Sequence, residues 1–197
     1  SPGQTAPGGD AVGAWLEDGF EQPGLRGWTT IVGPSSVVRV ETGVARTDRG
    51  ALRLGAGTAA DARAAARYEL PAPQAGLKVG LDVRIFTEGL EGGNVPLVRL
   101  FDAGGARLLS VYRQNHRDGR IWVGIGDDHV PTTARVDLET WTRLDVTLRP
   151  GVDGSIVEVR IDGSPVGEVP VTSFLAASVV QVGNDSKEQP FELVVDN

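Results

Sequence analysis

Residue types that commonly build reactive or metal sites are absent or scarce in this chain. Its 197 residues include no cysteine, which excludes both a disulfide framework and a thiolate metal site. Only two histidines are present, His116 and His129, so a zinc site would need carboxylates to complete it. Methionine is also absent, and a chain without methionine is not an unprocessed translation product. We therefore expect a secreted or cell-surface protein, or a domain cut from a longer chain.

Long apolar runs and an excess of positive charge are missing as well. No run of about 18 apolar residues occurs, so no membrane-spanning helix is expected. The formal net charge of −7 opposes binding to nucleic acid, where lysine and arginine supply most of the affinity. The first eleven residues are rich in Pro, Gly and Thr and are predicted to form a linker or a processed N-terminal segment.

Short alternating apolar runs dominate the rest of the chain, from residue 12 to residue 197. In the segment 77–85, leucine, valine and isoleucine occupy every odd position, and Lys78, Asp82 and Arg84 lie among the even ones. Side chains alternate between the two faces of a strand, so this pattern indicates a sheet with one core face and one wet face. Gly, Pro, Asp and Asn separate the runs, as in the Asp162-Gly163 hairpin signal. We predict one all-β domain, a sandwich of two antiparallel sheets.

Two segments have a less definite pattern. The alanine-rich stretch from Thr58 to Tyr68 contains good helix formers, and it is equally compatible with a strand of small residues packed under a neighbouring sheet. The strand is favoured because strand patterns surround it. A short helical turn is expected between Thr172 and Ala177.

Several short motifs occur in an order that resembles a known superfamily. These are Asp18-Gly-Phe-Glu21 with Gly27-Trp28, then Gly50-Ala-Leu-Arg-Leu54, Trp141-Thr-Arg-Leu-Asp-Val146, Val159-Arg-Ile-Asp-Gly163 and Val194-Val-Asp196. Together they resemble the concanavalin A-like jelly-roll superfamily, which includes laminin-G-like domains and many carbohydrate-binding modules. The resemblance implies a jelly-roll sandwich and makes a glycan the leading candidate ligand, whereas function must be argued from the site itself.

A ligand-binding face is predicted on the polar side of one sheet. If the strands near 77–86, 95–102, 107–114, 120–126 and 141–149 share a sheet, its outer face displays Asp82, Arg84, Arg99, Tyr112, Gln114, Trp122, Arg143 and Asp145. Sugars stack on aromatic rings while neighbouring polar groups bind their hydroxyls. An exposed Trp122 on this face would be costly unless a ligand, a loop or another chain covers it, and the loop 88–94 is the alternative cover. A non-catalytic glycan-binding module is therefore the leading prediction.

Two other functional classes stay open. Tyr112, Gln114 and His116 follow one another at period two, and the resemblance to lyases of the superfamily makes Tyr112 and His116 a candidate acid–base pair for polysaccharide cleavage. No Glu-x-Asp-x-x-Glu motif of the glucanase branch is present, and that motif is the one that places two carboxylates for retaining hydrolysis. A structural or adhesion domain that binds a protein partner is the third class.

Calcium is the one cofactor that the sequence suggests. The resemblance implies a structural ion near the chain ends, where Asp18, Glu21 and Asp196 could supply oxygen ligands, and Asp127 and Asp128 offer a second loop. Acidic residues near turns also serve simply as turn formers, so the calcium site is an expectation to be compared with the structure.

Overall fold

The computed structural model describes residues 18–22, 24–90, 93–115, 118–186 and 189–197. Within these ranges the chain forms fourteen β-strands and no helix, and the strands assemble into two antiparallel seven-stranded sheets. The predicted all-β sandwich is therefore confirmed. The predicted linker over residues 1–11 lies outside the described ranges. No helix in the described part of the chain is long and apolar enough to span a membrane.

The spatial order of the strands in each sheet differs from their order in the chain. Across the first sheet, the order is β1 (Trp28–Val32), β4 (Ala64–Gln74), β13 (Ala177–Asn184), β6 (Val95–Phe101), β7 (Arg107–Arg113), β8 (Arg120–Ile125) and β9 (Asp128–Arg135). Across the second sheet, it is β12 (Ser164–Val171), β11 (Ser155–Ile161), β10 (Thr142–Pro150), β5 (Leu77–Glu88), β14 (Phe191–Asp196), β3 (Gly50–Ala56) and β2 (Ser36–Thr42). The longest runs of consecutive strands within one sheet are β6 to β9 in the first and β10 to β12 in the second, and the chain crosses between the sheets before, between and after these runs.

The core lies between the two sheets and is built from the apolar positions of the alternating runs. Leu81 and Ile85 of β5 and Leu144 of β10 point into it from the second sheet, and Val98 and Val123 do so from the first. Each of these side chains is fully or almost fully buried, which stabilises the fold by about 1.5–3 kcal/mol per side chain. The intervening polar residues therefore lie on the outer faces, as the sequence pattern predicts.

The alanine-rich stretch forms a strand, which confirms the favoured prediction. Ala64, Ala65 and Ala66 are fully buried in β4, which pairs with β1 on one side and with β13 on the other. Sheet pairing on both edges overrides the helix propensity of alanine. Gly183 of β13, at φ 84°, lies close to this strand: an added Cβ there would lie 2.5 Å from the Ala64 carbonyl oxygen and 2.9 Å from Leu54 Cδ2.

One predicted turn and one predicted helical segment can be compared directly with the structure. Asp162 and Gly163 connect β11 to β12 with φ values of 49° and 82°. Two successive positive φ values match the twist of a tight hairpin, so the Asp-Gly signal is confirmed. The expected helical turn near 172–177 is wrong, because residues 172–176 are irregular and β13 begins at Ala177.

Candidate functional site

The strand order divides the predicted ligand face between two sheets. Arg99 and Trp122 belong to the first sheet, whereas Asp82, Arg84 and Arg143 belong to β5 and β10 of the second. The expectation that all five strands share one sheet is therefore wrong. The alternation of apolar residues indicates which face of a strand is exposed to solvent, but it does not indicate which sheet the strand joins.

The predicted residues of the second sheet are engaged in contacts within the protein. Asp82 is buried and pairs with Arg46 at 2.6 Å and with Arg143 at 3.8 Å. Arg84 donates through Nε to the Glu139 carbonyl at 2.8 Å, and its guanidinium lies 4.9 Å from the centre of the Phe86 ring. These contacts explain the polar residues of the second sheet without a ligand.

The first sheet carries a continuous row of polar positions across six neighbouring strands. In the strand pairings, adjacent members of this row lie directly opposite one another. We call this set the cross-strand row: Arg67, Gln181, Arg99, Ser110, Gly124 and His129. The neighbours of Gln181, Arg99 and Ser110 along their strands point into the core, so the row lies on the outer face. Five interstrand steps give it a length of about 24 Å.

A second, shorter row holds the predicted aromatic residues. Tyr112 lies directly opposite Trp122, and Trp122 lies opposite Pro131 of β9. The Trp122 indole is half-buried and donates through Nε1 to the Gln114 side-chain oxygen at 3.0 Å. Tyr112, Gln114 and Trp122 are therefore brought together as predicted, on the same sheet as Arg99. Leu90, in the loop that was the alternative cover for Trp122, is 88% exposed and so does not bury its side chain on the indole.

Tyr112 and His129 form a hydrogen-bonded pair near the β9 edge of this face. The Tyr112 Oη lies 2.9 Å from His129 Nδ1, and the two rings meet edge to face. Burial raises the pKa of Tyr112, so its hydroxyl stays protonated over a wider pH range than a free phenol. His129 is exposed. The protonated Tyr112 hydroxyl therefore lies next to an imidazole nitrogen, a type of group that commonly transfers protons in enzymes.

Sequence reasoning missed His129 and chose His116 instead. His116 lies outside the described residues, so its pairing with Tyr112 stays a prediction. The signal that could have found His129 is the turn at Gly126-Asp127: a hairpin centred there places His129 opposite Gly124. That pairing in turn places His129 close to β7, the other neighbour of β8, which carries Tyr112.

One carboxylate contacts three members of the cross-strand row, Arg67, Gln181 and Arg99, which we call the arginine end. Asp185, directly after β13, forms ion pairs with Arg99 and with Arg67, the latter at 3.1 Å, and accepts a hydrogen bond from the Gln181 amide at 2.9 Å. Burial alone would raise the pKa of Asp185, but the Gln181 hydrogen bond and the Arg99 charge hold it below its ordinary value. Burial lowers the pKa of Arg99, an effect that Asp185 opposes.

A cavity of about 220 Å³ opens between the arginine end and the Tyr112–His129 pair. Its lining includes Arg99, Arg107, Ser110, Tyr112, His129 and Gln189. None of the described residues that line it is a carboxylate, and Arg107 is exposed. The cavity thus combines cationic, hydroxyl and imidazole groups beside the strand that carries the half-exposed indole.

The residues predicted to bind calcium are already bonded to N–H groups. Asp18 accepts from the Trp28 indole and from the Phe20 amide, each at 2.9 Å. Glu21 accepts from the Gly50 amide at 2.8 Å. Asp196, 1% exposed, accepts from two consecutive backbone amides of the β2–β3 loop, at 2.9 and 2.8 Å. Each of these carboxylates thus already accepts N–H groups, and no metal-holding group of three or more His, Asp or Glu occurs among the described residues.

The fold of this chain is similar to that of several solved structures, although the sequences share few identical residues. No family model and no curated protein sequence matches the chain. The solved structure of the cellulose induced protein, Cip1, is 16% identical, with a TM-score of 0.73 over 92% of this chain and 94% of that one. An endo-β-1,4-glucuronan lyase from the fungus Trichoderma reesei is 13% identical, with a TM-score of 0.68 over 87% and 90%.

A third solved structure is a carbohydrate recognition domain. The metal-free form of the Emp46p domain is 12% identical, with a TM-score of 0.55 over 92% of this chain and 94% of that one. Identities this low inform the fold and not the activity. The three similarities confirm the fold predicted from the short motifs: the chain shares the jelly-roll sandwich of these proteins.

Proposed function

We propose that this protein binds a glycan across the outer face of its first sheet, as part of a secreted or cell-surface protein. The observation that carries the proposal is the half-exposed Trp122, which lies opposite Tyr112, one of the residues that line the polar cavity. An indole ring in this position offers an apolar face for a sugar ring, and the polar neighbours offer partners for its hydroxyls. The glucuronan lyase and the Emp46p carbohydrate recognition domain, which share the fold, are consistent with it.

The length of the cross-strand row favours a polysaccharide over a single sugar. A row of about 24 Å is longer than one sugar ring and crosses strands from β4 to β9. The predicted contacts from Gln114 and Arg99 are retained in this proposal, and Arg67 and His129 are added to it. Gln181 is completely buried and supports Arg67 instead of contacting the glycan. Asp82, Arg84 and Arg143 are left out because they lie on the other sheet.

A glycan array on the isolated chain tests this function, with Trp122→Ala as the diagnostic variant. We expect a specific glycan to be retained by the unchanged protein and its affinity to fall about tenfold or more in the variant. Phe174→Ala is the matched control, because Phe174 is an aromatic residue with 67% exposure that lies outside both rows and the cavity lining. Equal loss in both variants, or no binding by the unchanged protein, would reject the proposal and favour a protein-binding role.

A second candidate function is supported by the Tyr112–His129 pair. A β-elimination on a uronate chain needs a base that removes the proton α to the carboxylate. It also needs an acid that protonates the departing glycosidic oxygen as the carbon–oxygen bond breaks and a double bond forms. Tyr112 Oη and His129 Nδ1 lie 2.9 Å apart in a cavity that Arg107 also lines, and this arginine could hold the uronate carboxylate. In this candidate the pair acts on a bound glycan, so it shares the face of the first proposal.

Release of unsaturated oligosaccharides from a polyuronate distinguishes the two candidates. If the protein is a lyase, Tyr112→Phe and His129→Ala should each lower the rate by a factor of about 100 or more. His116→Ala belongs in the same experiment, because loss of activity in that variant and not in His129→Ala would favour the pair predicted from the sequence. Retention of the polymer without any cleavage would leave the binding function and reject the lyase.

A further inference from the structure

The Asp185 carboxylate occupies the position that a bound anion would take. Its three partners, Arg67, Gln181 and Arg99, come from three adjacent strands and all donate to it. The strand pairings place them side by side in the cross-strand row. Donors that converge from a rigid sheet on one carboxylate have the geometry of an anion-binding site.

The two arginines are positioned by contacts other than Asp185. Arg99 donates through Nε to Ser110 Oγ at 3.1 Å and through Nη1 to Ser186 Oγ at 3.0 Å. Arg67 donates through Nε to the Gln181 side-chain oxygen at 2.8 Å, and its guanidinium lies 4.4 Å from the centre of the Phe101 ring. These contacts do not involve the carboxylate, so the sheet holds the donors in place independently of it.

Asp185 also changes the charge that a ligand would meet. Arg67 and Arg99 carry two positive charges and Asp185 neutralises one of them, at a position where its side chain is 24% exposed. Arg107 lines the same cavity as Arg99, and no described carboxylate forms an ion pair with it. The row therefore has one end where a carboxylate reduces the net charge from +2 to +1 and, at the cavity, one arginine without a counter-ion among the described residues.

We propose that Asp185 is an internal occupant of an anion site formed by Arg67, Gln181 and Arg99, and that it determines the charge selectivity of the glycan-binding face. With Asp185 in place, the donors of the arginine end are occupied by its carboxylate, and an acidic group of the ligand is directed to the exposed Arg107. Removal of the carboxylate opens a second position for an acidic group. The anion site stands on its own geometry, whereas the glycan selectivity rests on the proposed function.

Asp185→Ala tests the anion site with acetate, whose carboxylate and methyl group match the part of the side chain that is removed. We expect acetate to raise the unfolding temperature of this variant relative to chloride at equal ionic strength, and to leave the unchanged protein unaffected. Asp118→Ala is the matched control, because Asp118 also contacts two arginines, Arg120 and Arg135, but outside the row. Equal responses of the two variants to acetate would overturn the proposal.

The selectivity is tested with oligogalacturonate and with neutral cello-oligosaccharide on the same three proteins. Asp185→Ala should bind oligogalacturonate about tenfold more tightly than the unchanged protein, a gain in affinity of the size expected for one added ionic contact. Its affinity should also fall more steeply with salt concentration. No gain over Asp118→Ala would overturn the selectivity. Acetate binding without binding of any oligosaccharide would support the anion site and reject the proposed function instead.

Folding of the variant is itself informative. If Asp185→Ala folds only in acetate, the carboxylate is replaceable and the proposal is supported. If neither Asp185→Ala in acetate nor Asp185→Asn folds, Asp185 is an indispensable structural counter-ion and the proposal is overturned.

Discussion

Gly124 lies directly opposite His129 in the pairing of β8 with β9, and it leaves room for the imidazole. A Cβ at position 124 would lie 3.1 Å from His129 Nδ1 and 3.6 Å from Tyr112 Cε1. The same nitrogen bonds the Tyr112 hydroxyl. The Tyr112–His129 contact thus depends on a position in the intervening strand that carries no side chain.

Gly124→Ala should therefore separate the pair without unfolding the protein. His129 is exposed and can swing away, so we expect the free energy of unfolding to change by less than about 1 kcal/mol. The Tyr112–His129 hydrogen bond should be lost, which imidazole nitrogen chemical shifts measured by NMR would show. Retention of the unchanged protein's shifts in the variant would mean that the added methyl group is accommodated without moving the ring.

The role of Asp185 in stability should depend on pH. Its folded-state pKa is lower than the ordinary value of 3.8, so its stabilising effect is complete above that value and is lost as the pH falls further, through the folded-state pKa. Asp185→Asn should lower the free energy of unfolding by about 1–3 kcal/mol at neutral pH, because two arginines lose their counter-ion. The difference between the two proteins should shrink below pH 3.8. Urea unfolding of both proteins across this range measures it, and a difference that does not change with pH would contradict the linkage.

Calcium and chelator should leave the described fold unchanged. The oxygens of Asp18, Glu21 and Asp196 accept N–H groups, so chelator is expected to shift the unfolding temperature by less than about 1 °C, well below the shift that a loss of about 1 kcal/mol would cause. Differential scanning calorimetry with and without calcium is the measurement. A calcium-dependent rise of several degrees would show that these carboxylates exchange their N–H partners for a metal.

Asp196 itself should matter for folding because it is buried and holds the β2–β3 loop. Asp196→Asn should lower the free energy of unfolding by about 1–3 kcal/mol, since the amides of Arg46 and Thr47 lose a charged acceptor. Asp102→Asn is a comparison at an exposed turn, where the carboxylate also accepts two backbone amides, from Gly104 and Ala106. Equal losses in the two variants, measured by urea unfolding, would contradict the importance assigned to burial.

Gly183 and Gly105 offer a matched pair for the packing of the alanine strand. Their φ values are 84° and 85°, so alanine is strained to a similar extent at both positions. A Cβ at Gly183 would lie 2.5 Å from the Ala64 carbonyl oxygen, whereas a Cβ at Gly105 meets nothing within 4 Å. Gly183→Ala should therefore cost about 1–3 kcal/mol more than Gly105→Ala, the range for overpacking. Similar unfolding free energies for the two variants would show that β4 and β13 can move apart.

The local features of this fold could be predicted from the sequence because each depends on residues close together in the chain. Alternation in segment 77–85 identified a strand and its core-facing positions, and Asp162-Gly163 identified a hairpin. The alanine stretch was less certain, since its propensity favours a helix and its pairing favours a strand. In each case a two-residue period or a turn that needs positive φ carries the information.

The composition of the candidate site depended on contacts between residues distant in the chain. Tyr112 and Trp122 are ten residues apart across one hairpin, and their pairing could be predicted from the sequence. His129 could have been placed from the hairpin at Gly126-Asp127. Gln181 and Asp185 could not, because they join the face only through the position of β13 between β4 and β6. The sequence by itself determined the strands, their wet and core faces and the aromatic pair. The tertiary structure alone decided which sheet each strand joined, since strand order follows from long-range packing of faces whose local patterns are alike.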